Sequence, residues 1–399
     1  MNSRQFLILV LLFQMMSIFP VIGQQATRWL KGNLHTHSYW SDGDDFPEMI
    51  MDWYKSHGYD FVALSDHNIL AEGEKWKLIP DHEHNLHGFE HYLEKYGEDW
   101  VVYETDSAQR IQVKLKTLEE YRPFFEEQDK FLIIQSEEIS DGFNGKPIHI
   151  NATNIKELIT PQGGNSVAEV MQNNIDKVLE QRKNTGQPMF PHINHPNFQW
   201  AISVEDMKQL EGERFFEVYN GHPLVHNEGD SLRPGMEQLW DLLLTYYILQ
   251  GKPLLYGLAT DDAHNYHVHS SNHSNPGRGW VMVRATELSP DAIIQAMEMG
   301  DFYSTTGVEL EDFSFRNNKL KIKVKPEPGV NFTIQFWGGK KIENTAGVLL
   351  KEMTGTNGNY KMKKSDLYVR AKVISSKLKE NPYKENDLET AWSQPVVRK

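Results

Sequence analysis

The chain has 399 residues, 39% hydrophobic and 24% charged, the balance of a soluble globular protein with room for two or three domains, or one barrel with an appendage. A formal net charge of −14, with no Lys/Arg run to offset it, argues against duplex nucleic acid as a partner. There is no cysteine, which excludes disulfides, thiolate metal sites and cysteine nucleophiles; any transition metal must be held by His, Asp and Glu, donors suited to Zn, Mn or Fe.

The N-terminus reads as a secretory signal. Arg4 gives a positive start, residues 6–13 form an apolar run, and Val21-Ile22-Gly23 offers a small-residue cleavage site. The run is too short to span a bilayer and no cysteine follows it for lipid attachment. Residues 1–23 are therefore expected to be removed, leaving a periplasmic or secreted protein without a stable membrane anchor.

Apolar runs then alternate with amphipathic stretches. Residues 29–34 predict a first strand, 46–57 a helix with apolar Phe46, Met49, Ile50, Trp53 and Tyr54, and 61–64 a buried second strand. Strand, helix, strand is the unit of a parallel sheet. The segment 69–110 interrupts this rhythm. It is polar and carries His82, His84, His87 and His91, which read as a further metal site or, more simply, as part of an exposed insertion lying over the site as a lid. The rhythm resumes with a mostly helical 107–128, strands at 131–134 and 147–150, a helix at 166–183, and strands leading to His195, Asn220 and Asp262. A further strand at 280–283 and a helix at 290–299 follow. From about residue 307 the pattern changes to period two, as in Leu320/Ile322/Val324 and Phe332/Ile334/Phe336, with turns at Asn317-Asn318 and Gly338-Gly339. This predicts a small antiparallel all-β C-terminal domain, 307–399, after a body spanning 24–306. The tail contains no histidine, so it is not expected to supply metal ligands; either a passive lid on the body or a glycan or cell-surface contact is expected of it.

The chemistry gathers where strands end. His35 and His37, two residues apart in an extended chain, point to the same side and can meet one ion, with Asp42 folding back from the next turn. Similar endings recur at His67, Glu138, His149, His195, Glu217 and Asp262/His264. In a barrel of parallel strands such ends converge on one face, which predicts a centre for two or three divalent ions.

His35-Thr36-His37, Ser65-Asp66-His67, the stretch around Glu138, His195-Pro196 and Asp262-Ala263-His264 together resemble the ordered motifs of the PHP family (polymerase and histidinol phosphatase), from about residue 29 to 306. The resemblance implies a distorted (β/α)7 barrel, TIM-like in plan, with a trinuclear Zn, Mn or Fe centre that hydrolyses phosphate esters. Carried over, it implies His35, His37, Glu138 and Asp262 around one ion, with Glu138 bridging to a second shared with His149. His67, His195 and His264 take the remaining positions, and Asp42 matches a ligand position in part of the family. Glu137, His192 and Asp261 compete with Glu138, His195 and Asp262, and the motif pattern favours the latter three.

Ions so held lower the pKa of water and offset charge on a phosphoryl group. Asp66 is expected to orient a ligand, Arg278 on its Gly-rich loop to grip phosphate, and His267 to act as general acid, ahead of His269 and His273. Glu217, Asn220 and His222 are expected to shape the substrate pocket. The expected protein is an exported metal-dependent phosphoesterase for a small phosphomonoester or phosphodiester. The rival readings are hydrolysis of an amide or lactone, and a metal-stabilised glycan-binding protein.

Overall fold

The computed structural model describes residues 27–341 and 346–398; the expected signal, 1–23, lies outside them. In chain order, β1 (Arg28–Asn33), α1 (Pro47–Ser56) and β2 (Phe61–Leu64) precede an insertion of β3 (Trp76–Leu78), α2 (Glu83–Tyr96), β4 (Tyr103–Thr105) and β5 (Ile111–Lys114). Then come α3 (Leu118–Phe125), β6 (Leu132–Phe143), β7 (Lys146–Thr153), α4 (Val167–Thr185), β8 (Phe190–Ile193) and α5 (Val204–Lys208). The body ends with β9 (Phe215–Asn220), α6 (Met236–Leu249), β10 (Tyr256–Thr260), β11 (Trp280–Ala285), α7 (Pro290–Glu298) and β12 (Phe302–Thr305). The tail holds β13 (Leu310–Arg316), β14 (Lys319–Val324), β15 (Phe332–Gly338), β16 (Val348–Thr354), β17 (Asn357–Lys361), β18 (Tyr368–Leu378), β19 (Leu388–Ser393) and β20 (Val396–Val397).

One large mixed sheet organises the body, in the order β10-β9-β8-β7-β6-β2-β1-β11-β12. The pairs β1–β2, β2–β6, β8–β9 and β9–β10 are parallel. β7 is antiparallel to both neighbours, and β1 to β11. The all-parallel arrangement expected from the sequence is thus corrected: the tight turn between β6 and β7 leaves no room for a crossover helix. The sheet curls until the chain beyond β10 meets the chain beyond β1, where Asp262 N donates to His35 O and His37 N to Ala263 O, both at 2.9 Å. Inside the curl, Leu30, Ala63, Ile134, Phe190, Phe215, Leu258 and Val281 share one core with Ile293, Ile294 and Met297 of α7. That contact is why α7, capped by Ser289 and opened by Pro290, is amphipathic. On the outer face, Met171, Ile175 and Val178 of α4 and Leu239, Trp240 and Leu243 of α6 cover Ile148, Ile150, Phe216 and Val218.

The segment 107–128 is a second correction. Rather than being mostly helical, it gives β5, paired with β3 and β4 in a small sheet, and then the short α3. Ile111 and Val113 alternate with polar neighbours, a period-two signal masked by the helix-favouring run after them. This insertion packs Ile79, Phe89, Tyr92 and Val113 on Tyr39, Trp40 and Phe46, so it sits against the turn that follows His37. In the tail, β13-β14-β17 forms one sheet, packed on β15 and β18 through Phe313, Ile322, Ile334, Phe336, Ala371 and Val373. β19 joins β18 to β12, so the tail's larger sheet continues the central one. No helix among the described residues is long and apolar enough to cross a membrane.

Candidate metal centre

His35 and His37 leave the end of β1 on the same side, as their spacing requires, and both are fully buried. Their Nε2 atoms lie 3.1 Å apart, and Asp262 Oδ1 is 3.2 Å from each. Glu138 completes the set, its Oε1 3.4 Å from His35 Nε2 and its Oε2 3.5 Å from His37 Nε2. Donors about 2.0–2.2 Å from one ion stand roughly 3–3.6 Å from one another, so all these separations suit a shared cation.

Glu138 also faces outward to a second group, with His67 Nδ1 at 2.7 Å and His149 Nδ1 at 2.9 Å. His195 Nε2 is 3.4 Å from Glu138 Oε1. A third group forms around Asp42, whose Oδ1 is 3.4 Å from His264 Nε2, 3.5 Å from His67 Nε2 and 3.8 Å from His37 Nδ1. The three groups overlap at Glu138, His37 and His67. His149 reaches the cluster from early in the antiparallel β7, not from a parallel strand end.

Some donor atoms of the cluster have no hydrogen-bond partner among the described residues. His37 Nδ1, Glu138 Oε2 and His149 Nδ1 are buried without a hydrogen-bond partner among the described residues, despite the short separations above. Buried polar atoms without a partner are costly, and a cation between them would satisfy them. Two candidate ligands also have strained backbone: φ is 25° at His195 and 50° at Asp262.

Surrounding groups fix the donors. His35 Nδ1 is 2.7 Å from Glu217 Oε1, which leaves Nε2 free to face the ion position. Glu217 also accepts from Thr260 Oγ1, His195 N and Asn220 Nδ2. Asn220 Nδ2 reaches Asp262 Oδ2 at 3.1 Å. Glu217 and Asn220, expected to line the substrate pocket, are instead fully buried and hold ligands in place. Charge follows the same map. Burial alone would lower the His35 pKa, but the carboxylates of Asp262, Glu217 and Glu138 hold it well above its ordinary value. His37 is driven down to about 3 by burial and by His264 and His67. Burial also works against ionised Glu138, yet His149, His67 and His35 keep it well below the usual carboxylate range.

The competing neighbours face elsewhere. Glu137 accepts from Ile159 N, and burial raises its pKa to about 8. Asp261 accepts from Tyr54 Oη and from the backbone N–H groups of Gly277, Arg278 and Gly279. His192 lies 3.6 Å from Glu217 Oε1 through Nε2 and forms a further group with His35 and Glu217, behind the ion-facing edge of His35.

Three expected roles are corrected. Arg278 is buried, and its guanidinium donates to Asn381 O, Gly221 O, His273 O and Ser270 O; with its donors so engaged, it is a staple between loops and not a phosphate grip. His267 Nε2 bonds Asp44 O at 2.8 Å and its ring lies against Gly88 of α2, which places it under the insertion and outside the converging donor groups. Asp66 accepts from Ser38 N, Ser38 Oγ and Ser41 Oγ, so its side-chain hydrogen bonds among the described residues go to the turn between His37 and Asp42. His222 was expected to shape the substrate pocket; its ring lies beside that of His264. Its Nδ1 accepts from Leu224 N, its pKa is lowered to about 4 mainly by burial, and its ring centroid is 5.8 Å from that of His264. The neutral ring therefore carries its proton on Nε2. None of His82, His84, His87 and His91 belongs to a converging donor group among the described residues.

Sequence reasoning missed two supports. Asn194 Nδ2 donates to Glu138 Oε1 at 2.6 Å and to Asn151 Oδ1 at 2.9 Å; its place beside His195 at a strand end was the available signal. From β3 and the residue before it, Lys77 Nζ donates to Ser41 O at 3.1 Å, and Lys75 Nζ to Trp40 O. These two residues immediately precede Asp42, and nothing local in the sequence shows that the insertion braces them.

No family model matches the chain, and no curated protein matches it. Among solved structures, it is similar to a two-domain protein from Bacteroides vulgatus containing a predicted PHP-like metal-dependent phosphoesterase, at 14% identity over 93% of this chain and 95% of that one, with a TM-score of 0.41. A proposed metal-dependent phosphoesterase from Bifidobacterium adolescentis is similar at 12% identity, covering 58% of this chain and 87% of that one, with a TM-score of 0.28. An amidohydrolase from Chromobacterium violaceum, solved with bound sulfate and no metal, is similar at 13% identity over 59% and 87%, with a TM-score of 0.26.

Proposed function

We propose that the chain is a metal-dependent phosphoesterase of the PHP type, its curled sheet a distorted barrel, acting on a small phosphomonoester or phosphodiester. The observation that carries this reading is the set of imidazoles and carboxylates that meet around Glu138, with His37 Nδ1, Glu138 Oε2 and His149 Nδ1 buried and without a hydrogen-bond partner among the described residues. Their chemistry, imidazole and carboxylate without thiolate, suits two or three Zn, Mn or Fe ions. His35, His37, Glu138 and Asp262 would hold the first; His67, Glu138, His149 and His195 the second; His37, Asp42, His67 and His264 the outermost.

Bound there, the ions supply a nucleophile from water at neutral pH and neutralise charge on the phosphoryl group. The protein's own groups do the rest. Asp42, Glu138, Asp262 and Glu217 contribute about four negative charges, so two divalent ions would leave the centre near neutral and three would leave it about +2, able to attract an anionic ester. That removes the need for a fixed arginine, in keeping with the position of Arg278. Glu217 and Asn220 hold His35 and Asp262 in the ligand orientation, Asn194 holds Glu138, and His222 offers an N–H to a phosphoryl or leaving-group oxygen.

The test is turnover of p-nitrophenyl phosphate and bis-p-nitrophenyl phosphate by chelator-stripped protein reloaded with Mn or Zn. Metal-restored turnover of either ester supports the reading, and none with any ion sinks it. Export through residues 1–23 belongs to the same proposal; recovery of a mature chain beginning near Gln24 outside the cytoplasm is its check.

A further inference from the structure

Between β18 and β19 the tail makes a detour. Leu378 and Leu388 face each other across the two strands, a gap that loops of about 2–5 residues commonly bridge; here the chain 379–387 runs out onto the body instead. Three of its residues meet the end of β9 and the loops that follow β9 and β10. Lys379 Nζ donates to Tyr219 Oη at 3.1 Å, and Asn381 O accepts from Arg278 Nε at 2.9 Å. Tyr383 Oη accepts from Asn227 Nδ2 at 2.9 Å and donates to Glu228 Oε1 at 3.3 Å.

These contacts lead inward to the metal centre. Asn227 brackets the backbone of Asn220: its Oδ1 accepts from Asn220 N at 3.1 Å and its Nδ2 donates to Asn220 O at 2.9 Å. The second Nδ2 hydrogen is the one that Tyr383 receives, so the tail hydroxyl fixes which way this amide faces. Asn220 in turn commits its side chain to the centre. Its Nδ2 donates to Asp262 Oδ2 and Glu217 Oε2, and its Oδ1 accepts from His222 N at 2.8 Å. With Oδ2 so held, Asp262 turns Oδ1 toward His35 and His37. Support from outside the sheet is needed at this point. The ladder between β9 and β10 steps from Leu258–Glu217 to Ala259–Tyr219, skipping Val218, and such a bulge bends a strand and interrupts its pairing. Asp262 itself sits at φ 50°, a conformation that persists only where neighbours over-determine it. Arg278 ties the same stretch a second time, since its Nη1 donates to Gly221 O at 2.9 Å while its Nε holds Asn381 O.

We propose that the tail is a working part of the metal centre: Tyr383 is a positioning residue that, through Asn227 and Asn220, holds Asp262 in the orientation that receives an ion. This role rests on the metal centre proposed above and not on the ester it would cleave. The experiment measures Mn and Zn affinity of the chelator-stripped full chain by competition with a chromophoric chelator, with melting temperature confirming that each variant is folded. Tyr383→Phe, which removes only the hydroxyl, should weaken the ion by about threefold to tenfold, less than the roughly 10–100-fold typical of partners that touch a ligand directly. Asn227→Ala should weaken it further, and Tyr383→Phe should add nothing in that background, because the hydroxyl acts through that amide. Tyr368→Phe is the matched control. It removes a tail hydroxyl bound at 2.8 Å to Asp241 of α6, and should lower the melting temperature without changing the affinity. Parent-like affinity in Tyr383→Phe, an equal loss in Tyr368→Phe, or additive losses in the double variant would each overturn the proposal alone. A parent chain that takes up no ion would overturn it together with the metal centre.

Discussion

Glu213 and Glu217 flank the start of one strand, both buried, and they titrate in opposite directions. Burial raises Glu213 to about 8; Glu217, equally desolvated, is held below its usual range by His35 and His192. The difference lies in what each carboxylate faces. Glu213 accepts from the N–H groups of Arg214 and Phe215, whereas Glu217 meets imidazoles. The same division separates Glu137 from Glu138 and Asp261 from Asp262. Adjacent residues of a strand point to opposite faces, so in the neighbouring pairs on β6 and after β10 one acid serves the histidine cluster and the other the backbone, whereas Glu213 differs from Glu217 by lying before β9, outside the strand. Burial alone does not distinguish them; the partner does.

The largest test of that division is Glu138→Ala. With the shared carboxylate gone, two groups of donors lose a member, and turnover should fall below detection while the melting temperature of the metal-free protein also falls, since the imidazoles of His35, His67 and His149 lose the carboxylate that balances them. Metal content by mass spectrometry and a thermal melt read both halves. A variant that keeps its full complement of ions would break the comparison at its centre.

A smaller effect is expected at the outer group. Asp42 is the exposed member, and its pKa falls despite partial burial because His67, His264 and His37 surround it. Its turn is braced by Lys75 and Lys77, so replacing both with Met should weaken the outermost ion and lower turnover about tenfold, as loss of supporting partners typically does at metal sites. The inner ions should stay bound. Loss of all ions together would show that the cluster is one indivisible unit.

On the backbone-facing side, Asp261→Asn should cost stability and little activity. The amide would set a donor against the N–H of Gly277 or the hydroxyl of Tyr54, an expected loss of about 1–3 kcal/mol in denaturant unfolding. Ion content should be unchanged. An ion lost from folded Asp261→Asn would place Asp261 in the centre after all.

The legibility of this molecule in its sequence follows the range of each signal. His35-Thr36-His37 and Asp262-Ala263-His264 were readable because the donors lie within three residues and end apolar runs. The choice of Glu138 over Glu137 was readable from motif pattern, and the opposed faces of β6 give it a physical basis. The direction of β7 was not readable, because a strand's polarity depends on its connection and not on its own residues. Arg278 and His267 were misread for one reason: a Gly-rich loop and a histidine-rich loop look alike whether they face a substrate or another segment. Arg278 is satisfied by carbonyls from Gly221 and Asn381, far away in sequence. Lys77 went unseen because its carbonyl partner belongs to Ser41, on the other side of a helix and a strand.

The finest test returns to Glu213 and rests on pH alone. Its ordinary value is 4.5 and burial raises it to about 8 in the folded chain. Below 4.5 both states hold the proton, so the group contributes no difference. Between about 4.5 and 8 the unfolded chain is ionised while the folded one stays protonated, so unfolding releases a proton and stability falls as pH rises. Above about 8 the penalty is constant. Glu213→Gln keeps an oxygen for the Arg214 and Phe215 N–H groups and removes the titration. The variant should melt with the parent near pH 5 and above it by about 2 °C or more near pH 8.5, with the gap opening across the intervening range. A gap that is the same at both ends would trace to packing. A reversed gap would mean that Glu213, like Glu217, has a cationic partner, and that the two acids are not divided by what they face.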